Sequence, residues 1–259
     1  MPPPAHLPRG APAHRERRTG IRRNVPQLLF LGLATLLFGL PSVIVLLLLP
    51  GKRLKGRYFQ CLAKAYSRTV LGAFGVKVAV RGLERIDSGR PYIFMSNHAS
   101  HIDSPALALV IPQPLHWVFK KELSKIPVFG WVLLSGGQIM VDRADPEGAK
   151  AALREALAGL SGSSSVMIYP EGTRSRDGML QPLKKGRFHM AVGSGLPIVP
   201  VRVSGSCDIV AAGTLAIRPG TVTIELFPPI PTEGRTAADI PELMSRVAEA
   251  LGGGTPDPG

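Results

Sequence analysis

Cysteine is scarce in this chain: Cys61 and Cys207 are the only two among 259 residues. Their spacing is not typical of a metal centre or a redox motif, and two cysteines cannot support a disulfide-based scaffold. We interpret both as packing residues of a protein from a reducing compartment. A chain of this length can hold one sizeable α/β domain or two small ones.

Charge is absent from one long stretch, and acidic side chains are rare in the first third of the chain. Residues 25–49 carry no charged side chain, and this segment exceeds the about 20 helical residues that cross a bilayer core. Residues 1–90 hold 16 Lys and Arg against 3 Asp and Glu, which gives +13, whereas residues 91–259 hold 15 of each. Such a charge flanking an apolar segment fits anionic lipid headgroups, whereas a nucleic-acid-binding domain would carry it on its folded surface. We therefore expect membrane lipids as partners, and no nucleic acid.

The apolar segment is expected to remain on the protein and to associate with a membrane. It is longer than the hydrophobic region of a signal peptide, and no small-residue cleavage site follows it. Gly39, Pro41 and Ser42 interrupt it and predict a kink or a turn back on itself. Because Lys and Arg flank both ends, the positive-inside rule gives no direction of crossing. A hairpin in one leaflet and a single span therefore both remain open.

Composition divides the chain into four segments. Apolar residues recur at helical spacing from Leu54 to Ala73, which predicts an amphipathic helix at the membrane interface, packed on the folded domain, or both. Pro and Arg dominate the start of the chain, and Gly and Pro dominate its end. The predicted segments are a disordered basic arm (1–23), a membrane-associated helical segment (24–74), a folded domain (75–251) and a loose tail (252–259).

The folded domain reads as alternating strands and helices. The predicted strands are Val76–Val80, Tyr92–Ser96, His116–Phe119, Gln138–Val141, Ser165–Tyr169, Ile198–Val203 and Val222–Phe227. The clearest helix is Pro146–Leu160, with Asp145 as its N-cap. This alternation predicts an α/β fold with a mixed, largely parallel sheet of about seven strands covered by helices.

The clearest chemical pattern is His98 followed by Asp103. The predicted strand Tyr92–Ser96 precedes the pair, and Ser104 is predicted to cap the helix that follows. Both side chains would then lie at the carboxyl end of a strand, where open α/β sheets bind ligands. Asp103 would accept from one imidazole nitrogen and leave the other as a base for an alcohol proton.

The same residues allow two other interpretations. His98 and Asp103 could be ordinary polar residues of a loop, because an isolated His-x4-Asp pattern is short and common. They could also bind a metal together with His101, although no further cluster of His, Asp or Glu at ligand spacing completes such a site.

Four motifs in a fixed order resemble those of the 1-acylglycerol-3-phosphate acyltransferase family of lipid acyltransferases. They are Asn97-His98 through Asp103, Gly137-Gln-Ile-Met-Val-Asp-Arg143, Tyr169-Pro-Glu-Gly-Thr-Arg-Ser175 and Ile198-Val-Pro-Val201. The corresponding family patterns are N-H-x4-D, G-x-[IV]-F-[IV]-x-R, [FY]-P-E-G-T-R-S and a V-P-V-type block. The resemblance covers about residues 75–230. Met140 stands where the family usually has Phe, a change that we expect to alter packing and not chemistry.

The resemblance implies an enzyme that acylates the sn-2 hydroxyl of lysophosphatidic acid to give phosphatidic acid. The donor would be acyl-CoA or acyl-acyl-carrier protein, with no metal or redox cofactor. A glycerol 3-phosphate or other lyso-lipid acceptor, an inactive lipid-binding protein, and a metal-dependent lipid hydrolase remain as alternatives. The catalytic domain would lie on the cytoplasmic face of the membrane, where thioester donors are made.

The expected site residues fall into three groups. His98 and Asp103 are the expected catalytic pair, with His98 as general base. The expected phosphate-binding residues are Arg143, Glu171, Gly172, Thr173 and Arg174, and possible supporting residues are Asn97, Lys184 and Lys185.

Each group has a chemical reason. Arg174 can bind phosphate in a bidentate manner, and Gly172 allows close backbone approach. Glu171 cannot attract phosphate, so we expect it to orient Arg174 or a substrate hydroxyl, or to form a structural ion pair with Arg174. Lys184 and Lys185 could strengthen the positive electrostatic potential at the phosphate site, or they could be a solvated pair on the surface. Ile198–Val203 is expected to be a buried strand, and the resemblance implies that it helps to line the donor site.

Mechanistically, no G-x-S-x-G nucleophile elbow is present, so a covalent acyl-enzyme is not required. We expect backbone N–H groups near the strand end to stabilise the oxyanion.

Overall fold

The computed structural model describes residues 13–142, 144–160, 162–175, 177–210 and 216–252. The helices in these ranges are α1 (Ala13–Leu48), α2 (Lys52–Ala73), α3 (Asp103–Val110), α4 (Phe129–Ser135), α5 (Pro146–Ala158), α6 (Lys185–Ser194), α7 (Ser206–Ile209) and α8 (Ile240–Leu251). The strands are β1 (Val76–Arg81), β2 (Ile93–Ser96), β3 (Leu115–Lys120), β4 (Ile139–Val141), β5 (Ser165–Ile168), β6 (Ile198–Ser204) and β7 (Gly220–Leu226).

The seven strands form one mixed sheet in the order β1-β7-β6-β2-β5-β3-β4. Strands β2 to β6 are mutually parallel, whereas β7 pairs antiparallel with β6, and β1 pairs parallel with β7. Every residue of β2 and β5 is buried, as expected for parallel strands covered on both faces. The ends of β2 and β5 therefore meet at one edge of the sheet, which we call the carboxyl edge.

Two hydrophobic cores cover the two faces of the sheet. One packs Leu71 of α2 and Leu107 of α3 against Phe94 of β2. The other packs Leu153 of α5 and Phe188 of α6 against the same sheet. The alternation of strands and helices in the sequence reflects this two-sided cover.

The predicted fold class and all seven predicted strands are confirmed, with ends that differ by one or two residues. The predicted helix Pro146–Leu160 is α5, which ends at Ala158. Its N-cap is also confirmed, since Asp145 Oδ1 accepts the backbone N–H of Gly148 at 2.9 Å.

The predicted turn back at Gly39–Ser42 is wrong, because α1 is one continuous helix through this segment, whereas the alternative of a kink at Pro41 stays a prediction. Gly39 permits close packing, since any side chain there would clash with Val128 beside α4. The Ser42 hydroxyl donates to the Phe38 carbonyl at 2.5 Å and lies 3.1 Å from the Tyr58 hydroxyl. The small and polar residues that suggested a turn therefore pack α1 against its neighbours, which is how helices in apolar surroundings tolerate an internal proline such as Pro41.

The predicted disordered arm, residues 1–23, is also partly wrong. Residues 13–23 belong to α1, and residues 1–12 lie outside the described residues, as do 253–259 of the predicted tail. Five prolines suggested disorder, and all five precede Ala13. The stretch from there to Pro26 has no proline and is rich in Arg, a good helix former.

Helix α2 packs against the folded domain on one face and against α1 on another. Phe59, Val70 and Leu71 are buried against the folded domain, which confirms the packed alternative. On the other face, Tyr66 makes an edge-on contact with Phe38 of α1, with ring centroids 6.0 Å apart. α1 and α2 thus form an antiparallel pair that lies along the domain, and Val25–Leu48 is long and apolar enough to cross a membrane.

Candidate functional site

The His98 loop leaves the sheet at the carboxyl edge, directly after β2. Asn97 anchors it to β6, because its side-chain amide donates to the Val203 carbonyl at 2.8 Å and its Oδ1 accepts the Val203 N–H at 2.7 Å. These two bonds continue the pairing of β2 and β6 by one residue. Asn97 therefore holds the loop that carries His98 at the end of the sheet, and its part as a supporting residue of the site stays a prediction.

His98 and Asp103 meet as predicted. The imidazole Nδ1 lies 2.8 Å from Asp103 Oδ2, and the Asp103 side chain is 1% exposed against 18% for His98. A carboxylate accepts hydrogen bonds, so Nδ1 carries the proton and Nε2 keeps a lone pair. The geometry therefore provides one oriented base at a partly open position.

The expected helix cap is wrong in detail. α3 begins at Asp103, and Ser104 does not cap it. Instead, Asp103 Oδ2 accepts the backbone N–H groups of Ala99 and Ser100, each at 2.8 Å, besides the His98 imidazole. The carboxylate therefore closes the loop on itself while it orients the histidine.

Tyr169 packs flat on the His98 imidazole, a contact that the sequence did not reveal. The ring centroids are 3.8 Å apart and the rings are inclined by 13°. The Tyr169 hydroxyl lies 2.8 Å from Ser104 Oγ, and burial raises its pKa well above the ordinary value, so it stays protonated. Asp103 at one ring nitrogen and Tyr169 on one ring face together fix the imidazole plane. The motif shows that residue 169 is aromatic, but no local sequence pattern indicates that its ring stacks on the His98 imidazole.

Glu171 binds backbone, which corrects its expected role. Its Oε1 accepts the N–H of His98 and its Oε2 accepts the N–H of Gln181, both at 2.7 Å. Burial raises the pKa of this carboxyl, and the two hydrogen bonds oppose that shift. Among the residues that the structure describes, Glu171 forms no ion pair with Arg174. Its carboxylate instead ties the His98 loop to the segment before α6.

Arg174 is exposed beside the His98 loop, and its guanidinium contacts His101 Nε2. Burial, Arg174 and His98 lower the pKa of His101, in that order. The neutral ring can then accept from the guanidinium, which has donors only. His101 was considered only as a metal ligand from sequence, and it proves to be the contact residue of Arg174.

Backbone contacts fold the Tyr169–Ser175 turn onto the His98 loop. The Ser175 N–H donates to the His98 carbonyl at 2.8 Å, and Gly172 adopts a left-handed φ of 78° that favours glycine. Thr173 is exposed beside Arg174. The turn therefore presents Thr173 and Arg174 at the same edge as His98, as the motif predicted.

The remaining expectations concern three basic residues, a metal site and the strand β6. Lys184 and Lys185 are exposed at the start of α6. Arg143 lies outside the described residues, so its predicted phosphate contact remains a prediction. Within the described ranges, no three His, Cys, Asp or Glu side chains cluster as metal ligands. Ile198–Val201 is fully buried in β6, which confirms a core strand, and its expected part in lining the donor site stays a prediction.

The expected source of oxyanion stabilisation also changes. The backbone N–H groups of His98, Ala99 and Ser100 already donate to Glu171 or Asp103. An N–H that is committed to a buried carboxylate is not free to meet a developing oxyanion. The first three amides of the loop therefore organise it, and the oxyanion donors must come from other groups.

Comparison with known proteins places these features in a family. A family model described as Acyltransferase matches residues 77–204. The 1-acyl-sn-glycerol-3-phosphate acyltransferase of Limnanthes douglasii is 32% identical over 207 residues, which cover 80% of this chain and 73% of that protein. The alpha enzyme of the same name from Homo sapiens is 33% identical over 179 residues, 69% of this chain and 63% of its own length.

A solved structure shares the fold. The crystal structure of the 1-acyl-sn-glycerophosphate (LPA) acyltransferase PlsC from Thermotoga maritima superposes with a TM-score of 0.72. The match covers 91% of this chain and 98% of that chain at 24% sequence identity.

We predict that the aromatic face of Tyr169, more than its hydroxyl, immobilises the His98 ring. Tyr169→Phe should retain the downfield NMR signal of the hydrogen-bonded Nδ1 proton, and Tyr169→Leu should broaden or lose it. A stacked pair is worth about 0.5–1.5 kcal/mol beyond its buried area. Ser104→Ala is the matched control, since it removes only the partner of the hydroxyl. Equal signals in the Phe and Leu variants would show that stacking does not hold the ring.

Proposed function

We propose that this chain, which belongs to the acyltransferase family that includes the 1-acyl-sn-glycerol-3-phosphate acyltransferases, acylates the sn-2 hydroxyl of 1-acylglycerol-3-phosphate. The product is phosphatidic acid. The observation that carries the proposal is the His98 imidazole, whose Nδ1 is held by the buried Asp103 carboxylate and whose Nε2 is left as a base. The names of the related enzymes support this acceptor.

The reaction is direct transfer from an acyl thioester. Nε2 of His98 removes the proton of the acceptor hydroxyl as its oxygen bonds to the thioester carbonyl carbon. The resulting oxyanion re-forms the carbonyl, the carbon–sulfur bond breaks, and the imidazolium returns its proton to the thiolate. Asp103 stabilises the imidazolium and keeps the correct nitrogen facing the substrate.

The acceptor phosphate binds Arg174. Its guanidinium lies at the carboxyl edge beside the His98 loop, and the contact with His101 directs it. Because the phosphate and the hydroxyl belong to one small molecule, fixing the phosphate places the hydroxyl beside the base. Arg143 is the second candidate contact from the motif.

The donor is acyl-CoA or acyl-acyl-carrier protein, and no metal or redox cofactor takes part.

The experiment that tests the whole proposal is acyl transfer by the purified protein with both thioester carriers. The acceptor panel should contain lysophosphatidic acid, glycerol 3-phosphate and a lyso-lipid with a different headgroup. We expect phosphatidic acid formation to dominate.

The protein binds one membrane surface through α1, with the catalytic domain on the cytoplasmic face. One side of α1 exposes large apolar residues, among them Leu29 at 67% and Leu37 at 65%, and Trp131 of the neighbouring α4 is 48% exposed. Contacts of α1 with α2 run from Phe30 with Phe74 to Ser42 with Tyr58. A membrane-spanning α1 would carry α2, with its several Lys and Arg, into the hydrocarbon core at high cost. In-plane binding avoids this cost.

We predict that His98→Ala abolishes transfer, with a loss of about 10³-fold or more in kcat, because the substitution removes the oriented base. Asp103→Asn should lose activity on the same scale, since it removes the carboxylate that orients the imidazole. Purified variants assayed with saturating substrates measure this, with circular dichroism as the check of the fold. Near-normal turnover by a folded His98→Ala variant would exclude the general-base role.

Arg174→Ala should raise the KM for lysophosphatidic acid by about tenfold or more, because a charge-assisted hydrogen bond is lost. The KM for the thioester should change by less than about twofold. Arg81→Ala, a surface arginine on β1, is the matched control. An effect confined to the thioester KM would place the phosphate site elsewhere.

Cysteine labelling tests the membrane arrangement. In a Cys61→Ala/Cys207→Ala background, Gly10→Cys and Glu233→Cys are introduced one at a time into protein in sealed vesicles of known orientation. We expect an impermeant reagent to label both positions from the same side, because neither the arm nor the domain crosses the bilayer. Labelling of position 10 only from the opposite side would show a true span.

A further inference from the structure

A cavity of about 530 Å³ lies at the edge of the sheet opposite His98. Its lining includes Pro114 and Ser164, which directly precede β3 and β5, and one side of α2. Since His98 follows β2 at the carboxyl edge, the body of the sheet separates this cavity from the active site. The cavity is therefore a second site and not an extension of the first.

The lining of this cavity is basic. Arg53, Arg57 and Lys64 of α2 line it, and no Asp or Glu is among its lining residues. At intervals of four and seven residues the three cations lie on one face of the helix. None of them forms an ion pair with any residue that the structure describes. An anion in the cavity would meet three cations and no carboxylate, and their attraction would favour its binding.

Lys64 is the least solvated of the three cations. It is half-buried, and burial lowers its pKa, a shift that Cys61 opposes and Arg68 reinforces. A phosphate oxygen beside its ammonium would reverse this shift, because an opposite charge favours the protonated form.

Gln113 lies in the wall of this cavity and is 1% exposed. Nε2 donates to the carbonyls of Asp87 and Arg90, at 3.1 and 3.4 Å, which fixes the orientation of the amide. The side chain is therefore a rigid, neutral part of the wall, and it leaves the positive charge of the three cations uncompensated.

We propose that this cavity binds a phosphate ester, supplied by the headgroup of an anionic membrane lipid. Arg53, Arg57 and Lys64 neutralise the phosphate. Arg53 and Arg57 lie in the first two turns after the apolar segment ends, which is where basic residues meet headgroups. The proposal is independent of the transfer chemistry.

The test compares two variants of the full-length protein that lose the same charge. Arg57→Gln/Lys64→Gln removes two cavity cations, and Lys52→Gln/Lys55→Gln removes two cations of the same helix that do not line the cavity. Flotation measures binding to vesicles of phosphatidylcholine alone or with 20 mol% phosphatidylglycerol. A parallel calorimetric titration with inorganic phosphate, at constant ionic strength, tests a free phosphate source.

We expect the cavity pair to lose about tenfold more of the phosphatidylglycerol-dependent affinity than the control pair, since general attraction falls equally in both. A loss of phosphate binding that is confined to the cavity pair, without a vesicle effect, would assign the site to a soluble phosphate ester. Equal losses in both pairs, or none in either, would overturn the site. Transfer to a soluble short-chain acceptor should be unchanged in both, so a failure here is distinguishable from a failure of the proposed enzyme activity.

Discussion

The site depends on one oxygen atom. Oδ2 of the buried Asp103 accepts from the His98 imidazole and from two successive backbone amides, each at 2.8 Å. Hydrogen bonds to a carboxylate are about twice as strong as neutral ones, and here all three donors belong to the same six-residue loop. The shape of the loop and the orientation of the histidine therefore have a common origin. A change at Asp103 would lose both together.

Other contacts attach this small unit to the sheet. Asn97 pairs with Val203 on one side, Glu171 holds the His98 amide on the other, and Tyr169 covers the imidazole face. Because β2 lies between β5 and β6, the elements that follow all three strands converge at the carboxyl edge. Parallel topology thus gathers residues that are about a hundred positions apart in sequence.

Much of this could be predicted from the sequence, because short motifs directly follow predicted strands. The seven strands, the helix after Asp145 and the His98–Asp103 contact all depend on local patterns and were found. The roles of Glu171 and Ser104 could not be found in this way. Glu171 binds the backbone of His98 and Gln181, and Ser104 contacts Tyr169. These contacts depend on how loops that are distant in sequence pack together.

The apolar segment, residues 25–49, shows the same limit of prediction from local sequence. A glycine, a proline and a serine in one turn favour a break when the segment is considered alone. In the fold, Val128 fills the space beside Gly39, and the Tyr58 hydroxyl lies within hydrogen-bond distance of the Ser42 hydroxyl. Tertiary contacts therefore decide between a turn and a continuous helix.

In the mechanism proposed above, His98 acts as a base toward the acceptor and is not itself acylated. Intact-protein mass spectrometry after incubation with acyl-CoA, without acceptor, distinguishes the two roles. We expect an unmodified mass before acceptor is added and phosphatidic acid formation as soon as lysophosphatidic acid is supplied. A stable increase of one acyl group that is absent from the His98→Ala variant would instead show that the histidine is the nucleophile.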